Sequence, residues 1–292
     1  MSAPTFTAIV LTQNDASQVA ECLAGLQWCE ERIVVDLQSE DRTRELAEGL
    51  ATKILVHERI PSFPMARNLG LDAATGDWIL VVDTDELIPP KLRDRLHAAV
   101  AGAGDVAGIW LPRMNHCFGR PVPHVGGFPD YQLRCFRRGT GRYGHRLHDP
   151  VRVEGRTIFL PIEEGAWILH SRTDATIGNL ARKWDGYAQT EAQVRLRDEV
   201  PFGGPLALLW TPLSTFRHRF FTLKGYRDGL AGLVLSVLFA FYRFEVEAKA
   251  WEASGYGAEW DREVARLGSV PRLAWALGRE AARRLWKSAR RP

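Results

Sequence analysis

Residues 75–86 read Thr75-Gly76-Asp77-Trp78-Ile79-Leu80-Val81-Val82-Asp83-Thr84-Asp85-Glu86. A turn pair leads into an unbroken apolar run, and the run stops on acid. A short apolar run bounded by turn residues reads as a strand buried on both faces. Pro89-Pro90 then opens a helix to about Val100, because proline suits the first helical turn, where its missing N–H is no loss. Upstream the alternation repeats. Phe6 to Leu11 is a buried strand, followed by a helix from Ala16 to Leu26 with Asp15 or Ser17 near its start. Arg32 to Val35 is a second strand ending at Asp36, followed by a helix from about Arg42 to Leu50. Lys53 to Val56 is a third, followed by a helix from Met65 to Ala74 that Gly76 closes. Strands alternating with helices imply an α/β chain with a mainly parallel sheet and helices on both faces. Ligands of such sheets bind beyond the carboxyl ends of the strands. Three of the four strands end in polar residues: Thr12-Gln13-Asn14, Asp36, and Asp83 with Asp85.

After Gly102 the pattern changes. Residues 108–112, 131–137, 151–153, 157–160 and 166–169 read as short strands among Gly and Pro turns. Thr173 to about Arg197 has helical spacing, with Ile177, Leu180, Trp184, Tyr187 and Val194 roughly on one face.

The 292 residues are 46% hydrophobic and 25% charged, ordinary values for a soluble globular protein. A disordered chain, a collagen-like repeat and a polytopic membrane protein are excluded. Cys22, Cys29, Cys117 and Cys135 show no C-x-x-C spacing, so reduced thiols are expected rather than a disulfide scaffold or a thiolate zinc site. The N-terminus has no basic region and only a short apolar run, so the chain is expected to stay on the cytoplasmic side. The net charge of +3 is too small to imply a nucleic-acid partner. It is also uneven: residues 271–292 carry net +6, which leaves the first 270 residues at net −3.

The last ninety residues are amphiphilic. Residues 200–216 carry no charge, but Pro201, Pro205 and Pro212 argue against one spanning helix. A second uncharged run, Gly229 to Tyr242, would make a helix of about 21 Å, short of a hydrocarbon core of roughly 30 Å. It reads either as a buried core helix or as an interfacial segment. Arg217, Arg219, Lys224, Arg227 and Arg243 among Phe216, Phe220, Phe221, Tyr226 and Tyr242 favour the interface. The terminal segment spaces Leu273, Leu277, Ala281 and Leu285 at four-residue steps, with Trp275, Trp286 and seven cations. That pattern suits an amphipathic helix on an anionic membrane surface.

The sharpest chemical signal is Asp83-x-Asp85 at a strand end. Two carboxylates there can share a divalent cation with a diphosphate, and hard oxygen ligands suit magnesium or manganese. No G-x-G-x-x-G follows the first strand, and neither a G-x-x-x-x-G-K-[ST] loop nor a G-x-S-x-G elbow occurs. Dinucleotide binding, P-loop hydrolysis and serine hydrolysis therefore lack support. His170 ends an apolar strand beside Ser171 and Arg172; it is a candidate metal ligand or phosphate contact, or a hydrogen-bonded core histidine. Arg134, Arg137, Arg138 and Arg142 offer either a clamp for phosphate on an anionic acceptor or a solvated basic face.

Several stretches taken in order resemble the family-2 glycosyltransferases of the GT-A fold. They are Thr5 to Asn14, Val34-Val35-Asp36 with Ser39 and Asp41, Ala66-Arg67-Asn68-Leu69-Gly70, and Thr75-Gly76-Asp77-Trp78 running to Glu86. The likeness continues through Tyr131-Gln132-Leu133-Arg134-Cys135-Phe136-Arg137-Arg138, Arg146-Leu147-His148-Asp149, His170 and Lys224-Gly225-Tyr226-Arg227-Asp228-Gly229. This longer pattern is similar to the subgroup that includes bacterial lipopolysaccharide core glycosyltransferases, and it covers about Thr5 to Trp251. The resemblance implies a Rossmann-like GT-A catalytic domain over residues 1–200, followed by a helical membrane-associating extension over 201–292. It implies a nucleotide-sugar donor, a divalent metal and a lipid-linked glycan acceptor, on the cytoplasmic face of the inner membrane. Thr12 and Asn14 would line the nucleotide pocket, Asp36 would sit beside the base, Arg67 would approach the nucleotide, Asp83 the ribose and Asp85 the metal. Such enzymes invert the anomeric centre in one displacement, and Asp149 stands where the general base is needed. The rival readings are a polyprenyl phosphate or protein side chain as acceptor, and a non-catalytic module that binds nucleotide at the membrane.

Overall fold

The computed structural model describes residues 3–59, 63–144, 151–171, 176–198, 202–257, 261, 264–265 and 278–280. The chain divides into two compact units, Met1–Thr173 and Asp174–Pro292.

In the first unit the alternation read from residues 6–101 is present. β1 (Phe6–Thr12) leads through α1 (Val19–Ala24) to β2 (Glu31–Asp36), then through α2 (Thr43–Ala47) to β3 (Lys53–Val56). α3 (Phe63–Ala73), β4 (Trp78–Asp83), β5 (Glu86–Leu87) and α4 (Pro90–Ala101) follow. The second half adds β6 (Val106–Leu111), β7 (Arg113–Cys117), β8 (Arg120–Pro121), β9 (Gln132–Arg137), β10 (Gly141–Arg142), β11 (Arg152–Val153), β12 (Arg156–Phe159) and β13 (Ile168–Ser171). α1 starts three residues later than expected. The Asp15 carboxylate is held by the turn, where it accepts from the Gln13 amide at 2.9 Å, and no side chain caps the helix.

The main sheet has seven strands in the order β12-β6-β9-β4-β1-β2-β3. β3, β2, β1 and β4 are mutually parallel, while β9 runs antiparallel to both β4 and β6. The chain winds outward from β1 to β2 and β3, then returns to place β4 on the other side of β1. That reversal is where an open α/β sheet forms a crevice. Register keeps its floor level: Thr12 is opposite Asp36, and Leu11 is opposite Asp83.

Strand alternation supplies a core to each face. Phe6, Ala8 and Val10 of β1 pack with Val19, Cys22 and Leu23 of α1 and Leu92, Leu96 and Val100 of α4. Ile9 and Leu11 point the other way, toward Ala66 of α3. α3 sits close to the sheet because residue 70 is glycine: a Cβ there would lie 2.6 Å from Ile9 Cγ2. All four cysteines are free, and Cys22, Cys29 and Cys135 are buried. Burial, reinforced at Cys22 by Glu86, Asp83, Asp85 and Asp15, pushes these three thiols well above the ordinary cysteine value.

A second sheet, in the order β5-β13-β7-β8, builds the other wall of the crevice. A single residue, Pro112, separates β6 from β7 and hands the chain from one sheet to the other. In this small sheet His170 of β13 is register partner to Glu86 of β5 and to Asn115 of β7.

The second unit holds α5 (Ile177–Arg197), α6 (Pro205–Arg217) and α7 (Gly229–Ala253), with a π-helical turn at His218–Thr222 and a 3-10 turn at Gly225–Asp228. The Thr176 side chain caps α5 by accepting from the Asn179 amide at 3.1 Å. The end expected for the catalytic domain, residue 200, falls just beyond α5, whereas the compact units divide before it. α7 corrects the length read from the uncharged run. It has 25 residues, about 37 Å, because its charged second half continues the helix beside α5. There Tyr242 and Arg243 bond Glu191, and Lys249 bonds Asp185. By length and composition, Gly225–Ala253 is one helical stretch long and apolar enough to cross a membrane.

Candidate active site

At the ends of β1 and β2, two loops are stitched into a rim. Asn14 adopts a left-handed backbone conformation, φ 58°, which asparagine tolerates better than most residues. Its amide donates to Ser39 Oγ at 2.9 Å, and its side-chain oxygen accepts from the Glu40 amide at 2.8 Å. The Asp36 carboxylate is fully buried and accepts from the Ser39 amide at 2.9 Å. The Asp15 amide donates to Thr43 Oγ1 and the Ala16 amide to Asp41. Thr12 is 1% exposed, and its hydroxyl has no hydrogen-bond partner among the described residues.

The A-R-N-x-x sequence of α3 divides its work by helix geometry. Ala66 faces the sheet, Asn68 exchanges two hydrogen bonds with the Tyr143 backbone, and Arg67 reaches Asp83. Arg67 Nη2 lies 2.5 Å from Asp83 Oδ1, and Arg134 Nη2 lies 2.5 Å from Asp83 Oδ2. Arg134 also reaches Glu86 Oε1 at 3.0 Å. Glu86 in turn pairs with Arg113 at 2.9 Å, and Arg113 with Asp130 at 2.6 Å. Three arginines thus alternate with three carboxylates, and Glu86, with no exposed side-chain surface, lies at the centre. Burial alone would raise the Asp83 carboxyl, but Arg134 and Arg67 hold it well below the usual carboxylate range. Each Asp83 oxygen has a lone pair beyond the one its arginine uses, which leaves room for donors from a ligand.

Among the described residues Asp85 meets His170 of β13. Its Oδ2 lies 3.2 Å from His170 Nε2. The opposite ring nitrogen, Nδ1, lies 2.6 Å from Asn115 Oδ1. The amide of Asn115 donates to Gly126 O at 3.1 Å and Asp130 Oδ2 at 3.2 Å, so the atom facing His170 is its oxygen. Nδ1 must then carry the hydrogen, and Nε2 faces a carboxylate. An octahedron with bonds of about 2.1 Å has edges of about 3.0 Å. One carboxylate oxygen and one imidazole nitrogen 3.2 Å apart therefore fit two neighbouring corners of a magnesium or manganese site. Among the described residues no group of three or more His, Cys, Asp or Glu could hold a metal ion. Among the described residues two side chains are placed where they could act as ligands, and a diphosphate would have to supply others.

The structure brings Thr12, Asn14, Asp36, Arg67, Asp83, Asp85 and His170 to the carboxyl ends of β1, β2 and β4 and the facing strand β13. Asp149 lies outside the described residues. The four arginines read as an acceptor clamp do not form one cluster. Arg134 is buried on Asp83 and Glu86, while Arg137 donates to the carbonyls of Val106 and Gly104. Arg138 donates to Gly76 O, and Arg142 pairs with Asp72. Strand alternation and the end of β9 send them apart. Glu86, Arg113, Asn115 and Asp130 were not singled out in the sequence. The available signal was the run of polar residues directly after Pro112, in a stretch otherwise spaced like a strand.

Comparison with known proteins gives the family. The model of the family described as glycosyl transferase family 2 matches residues 7–147. Over 254 residues the chain is 23% identical to the lipopolysaccharide core biosynthesis glycosyltransferase LpsC of Rhizobium meliloti (strain 1021), covering 84% of this chain and 92% of that protein. An uncharacterised glycosyltransferase of Rickettsia felis is 30% identical over 261 residues, 85% of this chain and 89% of that one. Among solved structures, a mannosyltransferase of Pyrobaculum calidifontis in complex with GDP-Man and Mn2+ is 20% identical, with a TM-score of 0.44 over 98% of this chain and 88% of that chain. With the parallel sheet, the acidic β4 terminus and these relatives together, the chain belongs to glycosyl transferase family 2 and is a glycosyltransferase.

Proposed function

We propose that the protein transfers a sugar from a nucleotide donor to a hydroxyl of a lipid-linked glycan, of the lipopolysaccharide-core kind, with inversion at the anomeric carbon. The observation that carries this reading is Asp85 set beside His170 at the sheet's reversal point, 3.2 Å apart. Thr12, Asn14 and Asp36 form the base-side rim, Arg67 and Asp83 meet the nucleotide, and Asp85 and His170 hold a magnesium or manganese ion. When bound, the ion offsets negative charge on the diphosphate leaving group. The acceptor oxygen bonds to the anomeric carbon as the bond to the diphosphate oxygen breaks, and the electron pair leaves with the diphosphate. The hydroxyl proton goes to a carboxylate, and Asp149 is the residue assigned to take it. Donor binding is tested by a thermal-shift panel of nucleotide sugars with and without manganese. The matching donor at about 100 times its dissociation constant adds about 2.7 kcal/mol, a shift of several degrees that requires the metal. A panel in which no donor shifts the transition would overturn the reading.

The second unit supports a working place at a membrane surface. On α7, Leu230, Leu233, Val237, Phe241 and Phe244 are exposed, and their spacing of three and four residues puts them on one stripe. Leu209 and Leu213 of α6, Phe221 and Tyr226 are also exposed. Apolar surface of this extent marks an interaction site. α7 lies in the plane of the membrane rather than across it. Its second half packs on α5, whose Glu191, Arg195 and Asp185 bond it, and a spanning α7 would carry those charges into hydrocarbon. Lys and Arg residues near an anionic surface contribute about 1 kcal/mol each. Deleting residues 271–292, with seven cations, is therefore expected to weaken binding to phosphatidylglycerol vesicles at least tenfold in a sedimentation assay. Equal binding would refute the anchor.

A further inference from the structure

His170 is useful as a metal ligand only if its Nε2 lone pair, and not an N–H, faces Asp85. A free imidazole beside a carboxylate prefers the opposite arrangement, with Nε2 carrying the hydrogen and donating it to the carboxylate. Something must therefore hold the hydrogen on Nδ1. The second sheet does this through register. Parallel pairing of β13 with β7 sets His170 opposite Asn115, and the Asn115 side-chain oxygen lies 2.6 Å from Nδ1.

Asn115 is itself fixed, which is what makes its oxygen dependable. Its amide nitrogen has two acceptors on the far side, Gly126 O at 3.1 Å and Asp130 Oδ2 at 3.2 Å. Neither acceptor can take the oxygen of a flipped amide without two lone pairs meeting, so the flipped rotamer is disfavoured. Asp130 is anchored by Arg113 and by the Gln132 amide at 2.9 Å. Gly126 is close because it has no side chain: a Cβ there would stand 2.4 Å from Val122 O and 3.1 Å from Asn115 Cβ. The surroundings thus specify which end of the Asn115 amide faces the histidine.

From this geometry we infer that Asn115 is a positioning residue that keeps the hydrogen of His170 on Nδ1 and so turns Nε2 into a ligand for the metal held with Asp85. The inference rests on the metal reading given under Proposed function. It adds a residue that touches neither metal nor sugar, on a strand whose role the family-like motifs do not include. Groups that orient a ligating histidine in this way typically change metal affinity by 10–100-fold when removed.

The test measures manganese directly, without turnover. Full-length protein is titrated with Mn2+ in the presence of GDP and, separately, UDP. Free Mn2+ is read by electron paramagnetic resonance, and histidine nitrogen on the bound ion by 14N spin-echo modulation. The wild type should bind Mn2+ with 14N modulation. Asn115→Ala, which has no acceptor, should bind 10–100-fold more weakly and lose most of the modulation. Asn115→Gln, which keeps both the acceptor oxygen and the donor amide, should bind more tightly than Asn115→Ala and retain the modulation. A residue needed only for folding would not be rescued in this way, and circular dichroism melts identify a variant that has unfolded. If wild type and Asn115→Ala bind equally with equal modulation, the positioning role is wrong and the metal reading stands. Loss in Asn115→Gln as deep as in Asn115→Ala also overturns it. If the wild type binds Mn2+ with neither nucleotide, or binds it without nitrogen modulation, the metal reading fails and takes the inference with it.

Discussion

Asp85→Ala is expected to lower sugar transfer on the order of 10²–10³-fold, the range measured when one preorganised electrostatic group is removed from a transition state. The same variant should melt within a few degrees of wild type. Among the described residues the buried arginines pair with Asp83, Glu86 and Asp130, all of which Asp85→Ala leaves in place. Asp83, two residues away, should behave differently. It neutralises Arg67 and Arg134 on its two oxygens, so Asp83→Ala is expected to lose both activity and stability. Acid sensitivity follows with a definite sign. Asp83 is held below its unfolded value of about 3.9, so its contribution to stability is complete above about pH 4 and is lost as pH falls toward its folded value. Asp83→Asn should flatten the acid limb of the stability–pH curve. Transfer by Asp85→Ala at the wild-type rate in magnesium or manganese would remove the metal assignment. Loss of activity together with a large drop in melting temperature would instead give Asp85 a structural role.

Much of this arrangement could be read before any coordinates, and what could not has a physical reason. β1, β2 and β4 are buried on both faces, so they appear as unbroken apolar runs, and their polar carboxyl ends mark the crevice. That was enough to place Thr12, Asp36, Asp83 and Asp85 together. The small second sheet hides for the opposite reason. β5 has two residues, and β7 reads Arg113-Met114-Asn115-His116-Cys117, with polar residues on the very face that builds the site. Hydrophobic alternation is blind to a strand whose site-building face is polar. The partner of Arg134 was likewise invisible. A basic run, Arg134 to Arg138, looks like a surface, and only antiparallel pairing of β9 with β4 shows that its first member turns inward. At α7 the uncharged run ended at Tyr242, yet the helix continues to Ala253 because α5 supplies partners for the charges. In each case the missing information was the identity of a neighbour distant in sequence.

Glu86→Ala should be the most destabilising single change in the crevice that leaves both D-x-D carboxylates intact. The side chain has no exposed surface, bonds Arg134 and Arg113, and accepts from the Asp83 amide at 3.1 Å. Truncation leaves two buried guanidiniums close together with Asp83 and Asp130 as their remaining acids, and breaking such a buried pair costs about 3–5 kcal/mol. For a unit of this size each kcal/mol shifts the transition by about 2–4 °C, so a drop of about 10 °C is expected. Arg156→Ala is the control. Arg156 makes three contacts to Asp105, more than Glu86 makes to either arginine, but both partners are exposed. An exposed pair contributes about 0–1 kcal/mol, so this variant should melt within about 3 °C of wild type. The contrast separates burial from bond count. It also bears on catalysis, because Glu86 is the residue after Asp85 and pairs in register with His170. Loss of its side chain should loosen the strand that presents the metal ligand, and Glu86→Ala should lower transfer even at temperatures where it remains folded. Glu86→Gln keeps the shape and an acceptor oxygen while removing the charge, and its melting temperature should fall between those of wild type and Glu86→Ala. If Glu86→Ala melts no lower than Arg156→Ala, the alternating network of arginines and acids does not hold the crevice together, and the site must be supported by the apolar layers alone.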